Sequence, residues 1–346
     1  MNMNAAGKRI GSQTLVFPGR PAVQSGASVV GPKEGSGPLG QYFDVVKGDT
    51  LLGDRSWERA EVRMLGEAVE LAVYKAGLKL QDIQALLCGD LLNQITASSF
   101  AARELPFPLV GLYGACSTFV EGMSLGAMMV DGAYATAVVA AASSHHDTAE
   151  RQFRYPTEFG NQRPPAAQWT VTAAGAVVLG RGEGPHVTFA TLGRVVDMGA
   201  VDVNDMGSAM APAAAETIWQ HLQDTGRKPS HYDLIATGDL GRLGRKLCME
   251  LLRRRGLDVS GNFADCGCLI FDFTPEVHCG GSGCGCSAAA FAGYFLGELA
   301  AGRLNRVLLV ATGSLHSPGS SQQGESLPGI AHAVAIENPG QEGSSP

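Results

Sequence analysis

Residues 114–146 read GACSTFVEGMSLGAMMVDGAYATAVVAAASSHH, and residues 284–316 read CGCSAAAFAGYFLGELAAGRLNRVLLVATGSLH. The two stretches follow one plan. A Gly-containing turn leads into Cys116-Ser117 or Cys286-Ser287, and a helical run follows that ends at Gly132 or Gly302, sixteen residues past each cysteine. An apolar strand comes next (137–142 and 307–311), then Ser144 or Ser314, then His146 or His316, fourteen residues past each glycine. The offset of 170 residues is held without a gap, so the chain is read as a fused duplication. It sets two cysteines, two serines and two histidines in pseudo-symmetric positions.

A second match works outward from the first. IQALLCGDL (83–91) and YDLIATGDL (232–240) are both short buried strands that end in Gly-Asp-Leu, at an offset of 149. Each half begins with a β-rich stretch, 13–30 and 185–196, and closes with another strand, 175–179 and 331–336. GPKEGSGPLG (31–40) is a loop on composition. A helix is expected from about Ser56 to Ala76, because Val62, Leu65, Val69, Ala72 and Val73 recur at three and four residues; residues 213–224 hold the equivalent place. Strands alternating with helices, without hairpin signals, predict a layered α/β fold with mainly parallel strands. The expected halves are 8–182 and 183–338, divided in GRGEGPH (180–186), with a polar tail over 339–346.

Composition bounds the function. Apolar residues make up 45% of the 346-residue chain, enough for a large core, and the net charge of −7 with no basic block argues against nucleic acid. The longest apolar stretch, 133–142, is about ten residues where a span needs roughly twenty. MNMNAAGKRIGSQ has no apolar core of a signal peptide. Eight cysteines without export signals predict free thiols in a reducing compartment. Cys266, Cys268, Cys279, Cys284 and Cys286 lie close together with His278, but as C-x-C pairs rather than the C-x2-C of a zinc site, so no metal site is expected.

A cysteine that opens a buried helix in the first of two strand–helix–strand halves resembles the thiolase superfamily, which implies five layers, α-β-α-β-α. In Tyr113-Gly114-Ala115-Cys116-Ser117 the turn is expected to put the sulfur at a helix N-terminus, where dipole and free amides favour thiolate. The strings TAERQFRYPTEFGNQRPPAAQWTVTAAGAVVL (148–179), GACSTFVEG and CGGSGCGCSA (279–288) resemble one branch of it, the stage V sporulation protein AD family of spore-forming Firmicutes, over roughly residues 8–338. The resemblance implies a soluble component of the spore dipicolinic-acid channel. Such a protein binds dipicolinic acid, associates with the channel's membrane proteins, and works in loading the forespore and in germination.

Condensing enzymes of the superfamily need a second-half His or Asn pair to stabilise the developing oxyanion. Here the strand at 233–237 is followed by Gly238-Asp239-Leu240. Glycine donates nothing, and a carboxylate repels an oxyanion. The glycine-rich loop before Ser287 holds His278, Ser282, Cys284 and Gly285, none of which matches the family pattern. The expectation is an acyltransferase fold without catalysis; the alternative is an acyl-CoA or acyl-carrier-protein condensing enzyme with Cys116 as nucleophile.

Dipicolinate is a flat ring with two carboxylates, often accompanied by calcium, and needs cationic or amide donors plus an apolar wall. The segment after His146 supplies Arg151, Phe153, Arg154, Tyr155 and Thr157. The expected ligand set is Cys116, His145, His146, Arg151, Arg154, Tyr155, His278, Ser287 and His316, with Arg154 the main anchor. No cofactor is expected beyond calcium carried with the ligand; Asp147 and Glu150 alone are too few for a protein calcium site. A homodimer through the strand beside the cysteine helix is expected by analogy, and membrane docking through partner proteins because no polybasic or amphipathic anchor is present.

Overall fold

The computed structural model describes residues 7–153, 163–274 and 276–340. In the first half, strand β1 (Ala22–Val30) precedes helix α1 (Trp57–Lys75), β2 (Leu86–Gly89), α2 (Thr96–Ala102) and β3 (Leu109–Gly111). Helix α3 (Thr118–Asp131), β4 (Ala137–Ser144), α4 (His146–Phe153) and β5 (Ala173–Gly180) complete it. The second half runs β6 (His186–Thr191), α5 (Met206–Thr225), β7 (Leu234–Thr237), α6 (Gly241–Arg254), β8 (Phe263–Asp265), α7 (Cys284–Ala289), β9 (Arg306–Ser314) and β10 (Gly329–Glu337).

The duplication is visible in strand order. The first half pairs β3-β2-β4-β5-β1, and the second pairs β8-β7-β9-β10-β6, equivalent strands in equivalent places. The two five-stranded units meet at β1 and β6 through the single register pair His186↔Ala22. Four of the five strands in each unit run in one direction, and β5 and β10 run antiparallel to both neighbours. Mainly parallel strands, as expected, make up each half, with one antiparallel strand in each that the sequence did not single out. Each half ends by returning a strand through the middle of its own sheet, where burial on both faces leaves an apolar run that carries no sign of direction.

Five layers follow from which faces are buried. Helix α1 covers the outer face of the first sheet, with Leu65, Val69, Ala72 and Val73 inward as the spacing predicts, Met64 buried beside them and Val62 partly buried, and Ser56 as N-cap accepting from the Arg59 N–H. Helix α5 covers the second sheet with Met210, Ala214, Ile218 and Leu222, and extends a turn and more earlier than expected, across Pro212. Helices α3 and α7 lie between the sheets, joined by Phe119 and Phe291 with ring centroids 6.1 Å apart. All eight residues of β4 are buried, and their small size lets helices approach both faces. Helix α7 continues through a π-helical turn (Ala290–Phe295) to Ala300, a local widening that α3 lacks. The stretch 31–40, expected to be loop, contains a one-turn helix, Pro32–Gly35, which buries Glu34.

Candidate ligand-binding site

The carboxyl ends of β4, β7 and β9 converge on the N-terminal turn of α3, the place where open α/β sheets gather ligands. Gly114 and Ala115 build that turn. Ala115 takes φ 51°, and Gly114 has no room for a side chain, since a Cβ would stand 2.6 Å from Ser117 Oγ and 2.7 Å from Glu121 Oε2. The Thr118 hydroxyl donates to Ala115 O and accepts from Gly114 N–H, which locks the turn. From the other half, Gly313 at the end of β9 presses on it; a Cβ there would meet Gly114 O at 2.5 Å.

Cys116, 8% exposed, lines a cavity of about 360 Å³. Its lining combines apolar side chains (Leu91, Phe153, Val201, Val203 and Met206) with donors and acceptors from Tyr113, Thr170, Ser282, Ser314, His316 and Gln322. Thr170 and Ser282 come side by side because 169–170 and 281–282 form a two-residue parallel pair. His316 Nδ1 lies 3.1 Å from Ser314 Oγ, and its ring is 5.8 Å from that of Phe153. Burial keeps His316 neutral to lower pH than usual and pushes the Tyr113 hydroxyl up to about 12.

Asp239 stands behind Cys116. Fully buried, its Oδ1 accepts from Thr312 Oγ1 (2.7 Å) and its Oδ2 from Ser282 Oγ (3.1 Å) and Gly283 N–H (3.0 Å). Burial pushes its carboxyl up to about 6 despite these donors. Cys116 is pushed well above the ordinary thiol range, first by burial and then by the Asp239 carboxylate; the Gly283 N–H opposes this. The expected thiolate is not favoured here: α3 begins at Thr118, two residues past Cys116, and burial of the sulfur, with the Asp239 carboxylate adding to it, outweighs the helix terminus.

The ligand set expected from sequence is only partly brought together. Cys116 and His316 line the cavity. His145 does not: its Nε2–H donates to Thr50 O at 2.8 Å and its Nδ1 accepts from Asp147 N–H at 3.2 Å, so both nitrogens serve the fold and burial holds the ring neutral. His146 stacks on Trp169 at 3.7 Å, outside the cavity. Arg151 pairs with Glu58 at 3.0 Å and lies over the Trp57 ring. His278 is in a turn away from the cavity, with its N–H on Thr274 O. Ser287 is buried inside α7, its hydroxyl without a partner among the described residues. Arg154 and Tyr155 lie outside the described residues.

Several site residues had escaped the sequence reading. Arg163 pairs with the cavity residue Glu150 at 2.6 Å and lies over Trp169. Val201, Val203 and Met206 come from a connection with no motif of its own. Among the described residues no lysine or arginine lines the cavity, and no group of three or more His, Cys, Asp or Glu is placed to hold a metal ion.

This arrangement defines a protein of thiolase-like fold with a cysteine turn at the cavity and a buried acid, Asp239, at the end of β7. Solved structures agree on the fold. OleA of Xanthomonas campestris bound with cerulenin is 15% identical with a TM-score of 0.59, covering 93% of this chain and 97% of that one. A 3-oxoacyl-[acyl-carrier-protein] synthase III from Aquifex aeolicus is 12% identical with a TM-score of 0.53, covering 92% and 99%. Residues 11–337 match the family described as stage V sporulation protein AD (SpoVAD), and the protein of that description from Bacillus subtilis (strain 168) is 46% identical over 334 residues, 96% of this chain and 99% of its own length. The chain belongs to the stage V sporulation protein AD family, which ties it to spore biology.

Proposed function

We propose that this chain binds dipicolinic acid in the Cys116 cavity and acts, without catalysis, as the soluble component of the spore's dipicolinate channel, in uptake into the forespore and release in germination. The observation that carries the non-catalytic part is Asp239. A condensing site needs a donor facing the cysteine, and a buried carboxylate there destabilises both a thiolate and an oxyanion. The cavity supports the ligand class. Its volume of about 360 Å³ suits a small ring, with Phe153 and Met206 for the ring face and hydroxyls with His316 for the carboxylates. Calcium enters, on this reading, with the ligand.

The same proposal has the protein face the cytoplasm and dock peripherally on the forespore or spore inner membrane through the channel's membrane proteins. No helix among the described residues is long and apolar enough to cross a membrane. A homodimer would form through β3, the strand at the free edge of the first sheet.

The test is calorimetric titration with dipicolinate, with and without calcium, beside Cys116→Ala and an acyl-CoA. Saturable dipicolinate binding with no acyl-CoA response supports the proposal. Acyl-CoA binding with covalent loading of Cys116, and no dipicolinate heat, selects the alternative, an acyl-CoA or acyl-carrier-protein condensing enzyme. That alternative draws on the Cys116 turn and the condensing enzymes that share the fold.

A further inference from the structure

Helix α6 is out of keeping with an acidic chain. With Arg255 at its end it carries six cations, Arg242, Arg245, Lys246, Arg253, Arg254 and Arg255, against one acid, Glu250. That is +5 in a chain of net −7, so the remaining residues carry −12. The helix brings most of these cations to one side. Arg242, Lys246 and Arg253 stand at i, i+4 and i+11 along the solvent face, with Met249 at i+7 between them and Leu243 and Arg254 flanking, while Cys248 and Leu252 face the core. Arg242 Cζ lies 4.1 Å from the centroid of the Phe273 ring, and Arg255 Cζ 4.9 Å from that of Trp219, so both guanidinium groups rest on aromatic faces.

The acids nearby do not use up this charge. Glu250 takes both Arg253 and Arg254, and Glu216 of α5 takes both Arg255 and Arg194. No acid pairs with Arg242 or Lys246 among the described residues; Asp265, at the helix start, accepts from the Leu240 and Gly241 N–H groups instead. Exposed Asp258 lies past the helix end, and exposed Asp272 precedes Phe273. Cations in the first turns oppose the helix dipole, so Arg242 and Lys246 do nothing for the helix itself. That end of α6 adjoins the cavity: Gly207, next to the cavity residue Met206, packs so closely that a Cβ on Gly244 would stand 2.5 Å from its carbonyl oxygen.

We propose that the solvent face of α6 docks this chain directly on an anionic lipid bilayer, with Arg242, Lys246, Arg253 and Arg254 among the headgroup phosphates and the exposed Leu243 and Phe273 between them. The outer side of a helix is convex. That suits a fluid plane whose headgroups gather round each cation, whereas a peptide needs a groove to bury its anchors. The Debye length at physiological salt is about 8 Å, so once α6 faces the bilayer the negative charge on distant parts of the chain is largely screened. This goes beyond the reading above, which gives docking to membrane proteins. The expectation of no polybasic anchor is corrected in one respect: the cations are interrupted in sequence, but the helix sets them on one face.

The test is co-sedimentation of the full chain with protein-free vesicles. Phosphatidylcholine vesicles with about 30% phosphatidylglycerol should bind it at least ~10-fold more tightly than phosphatidylcholine alone, and more weakly as salt rises from ~0.05 to ~0.5 M. Arg242→Gln/Lys246→Gln removes two exposed cations; at about a fivefold loss per charge, anionic vesicles should hold it roughly 30-fold less tightly. Arg59→Gln/Arg63→Gln takes the same charge from α1 on the outer face of the other sheet and should stay within ~2-fold.

No sedimentation, equal binding to both vesicle types, or an equal effect of the two variants would overturn the proposal. So would a chain that ignores vesicles yet binds a fluorescent glutamate octamer through Arg242 and Lys246, which would give the face to an acidic protein segment. Should the α6 variant not fold, the lipid-charge and salt dependence of the wild type decides. Neither dipicolinate nor a channel protein enters the measurement, so failure here is read separately from failure of the binding reading.

Discussion

Glu34 offers a sharp test of how the fold handles buried charge near the site. Its side chain, 1% exposed, accepts the Thr172 N–H at 2.9 Å, two residues from the cavity residue Thr170. Burial pushes the carboxyl from 4.5 up to about 7; the Thr172 N–H and Lys33 oppose this, and Asp147 adds to it. A carboxyl raised in the folded state stabilises fully below its unfolded value and loses that contribution as pH rises through its folded value. The window is therefore pH 4.5 to about 7. At roughly 1.4 kcal/mol per pH unit, the loss is about 3 kcal/mol. Glu34→Gln keeps the acceptor for Thr172 and cannot ionise. Urea unfolding of both proteins at pH 5, 6, 7 and 8 should show near-equal stability at pH 5 and an advantage for the glutamine protein of about 3 kcal/mol by pH 8. Glu61, pushed to about 8, titrates in both proteins and cancels in the difference. A gap that stays flat from pH 5 to 8 would refute the reasoning, because the buried carboxyl would then carry no raised proton affinity.

Three further outcomes follow from the packing and the cavity. Phe119→Ala removes the ring that joins α3 to Phe291 of the helix opposite, and denaturant unfolding should register a loss of about 3–5 kcal/mol. Gly313→Ala drives a methyl to 2.5 Å from Gly114 O, so the protein should lose about 1–3 kcal/mol in the same assay. A Gly313→Ala protein as stable as wild type would show that the two halves do not meet as tightly there. In the titration above, His316→Ala should weaken dipicolinate about tenfold, as expected for one lost hydrogen bond to a charged group, whereas Arg151→Ala should leave it within about twofold.

The duplication was legible because its signals are local: helix spacing, the Gly-Asp-Leu strand ends and the cysteine turns each repeat within a few residues. Helix α1 was readable almost to its ends for the same reason, Ser56 marking the cap. The direction of β5 and β10 was not. A strand buried on both faces looks the same whichever way it runs, and only the path of the chain decides. The histidines at the strand ends show a different limit. The repeat correctly put His146 and His316 in equivalent places, yet Trp169 takes up one and the cavity the other. His145, one residue earlier, is taken up by Thr50 and Asp147 instead. Arg163 and the 201–206 segment had no pattern to betray them, since their partners lie far away in sequence.

The acid of the Gly-Asp-Leu repeat shows why a retained cysteine turn is weak evidence for chemistry. In the first half Asp90 is occupied with the loop after its strand, accepting from Leu92 N–H and from both the N–H and hydroxyl of Ser98. In the second half Asp239 has the same place in the repeat, but there the neighbouring elements are the loop before α7 and the Cys116 turn. One local device, an acid that gathers donors at a strand end, thus clamps either the loop and helix after its own strand or β9 and the loop before α7, according to what lies beside it. The turn itself is held by packing. Gly114 has no space for a side chain, Thr118 closes the backbone, and Gly313 presses from β9. Those constraints act whether or not the sulfur ever attacks anything, so the geometry of the turn by itself does not tell what the cavity does, and the charges around the sulfur are the better guide.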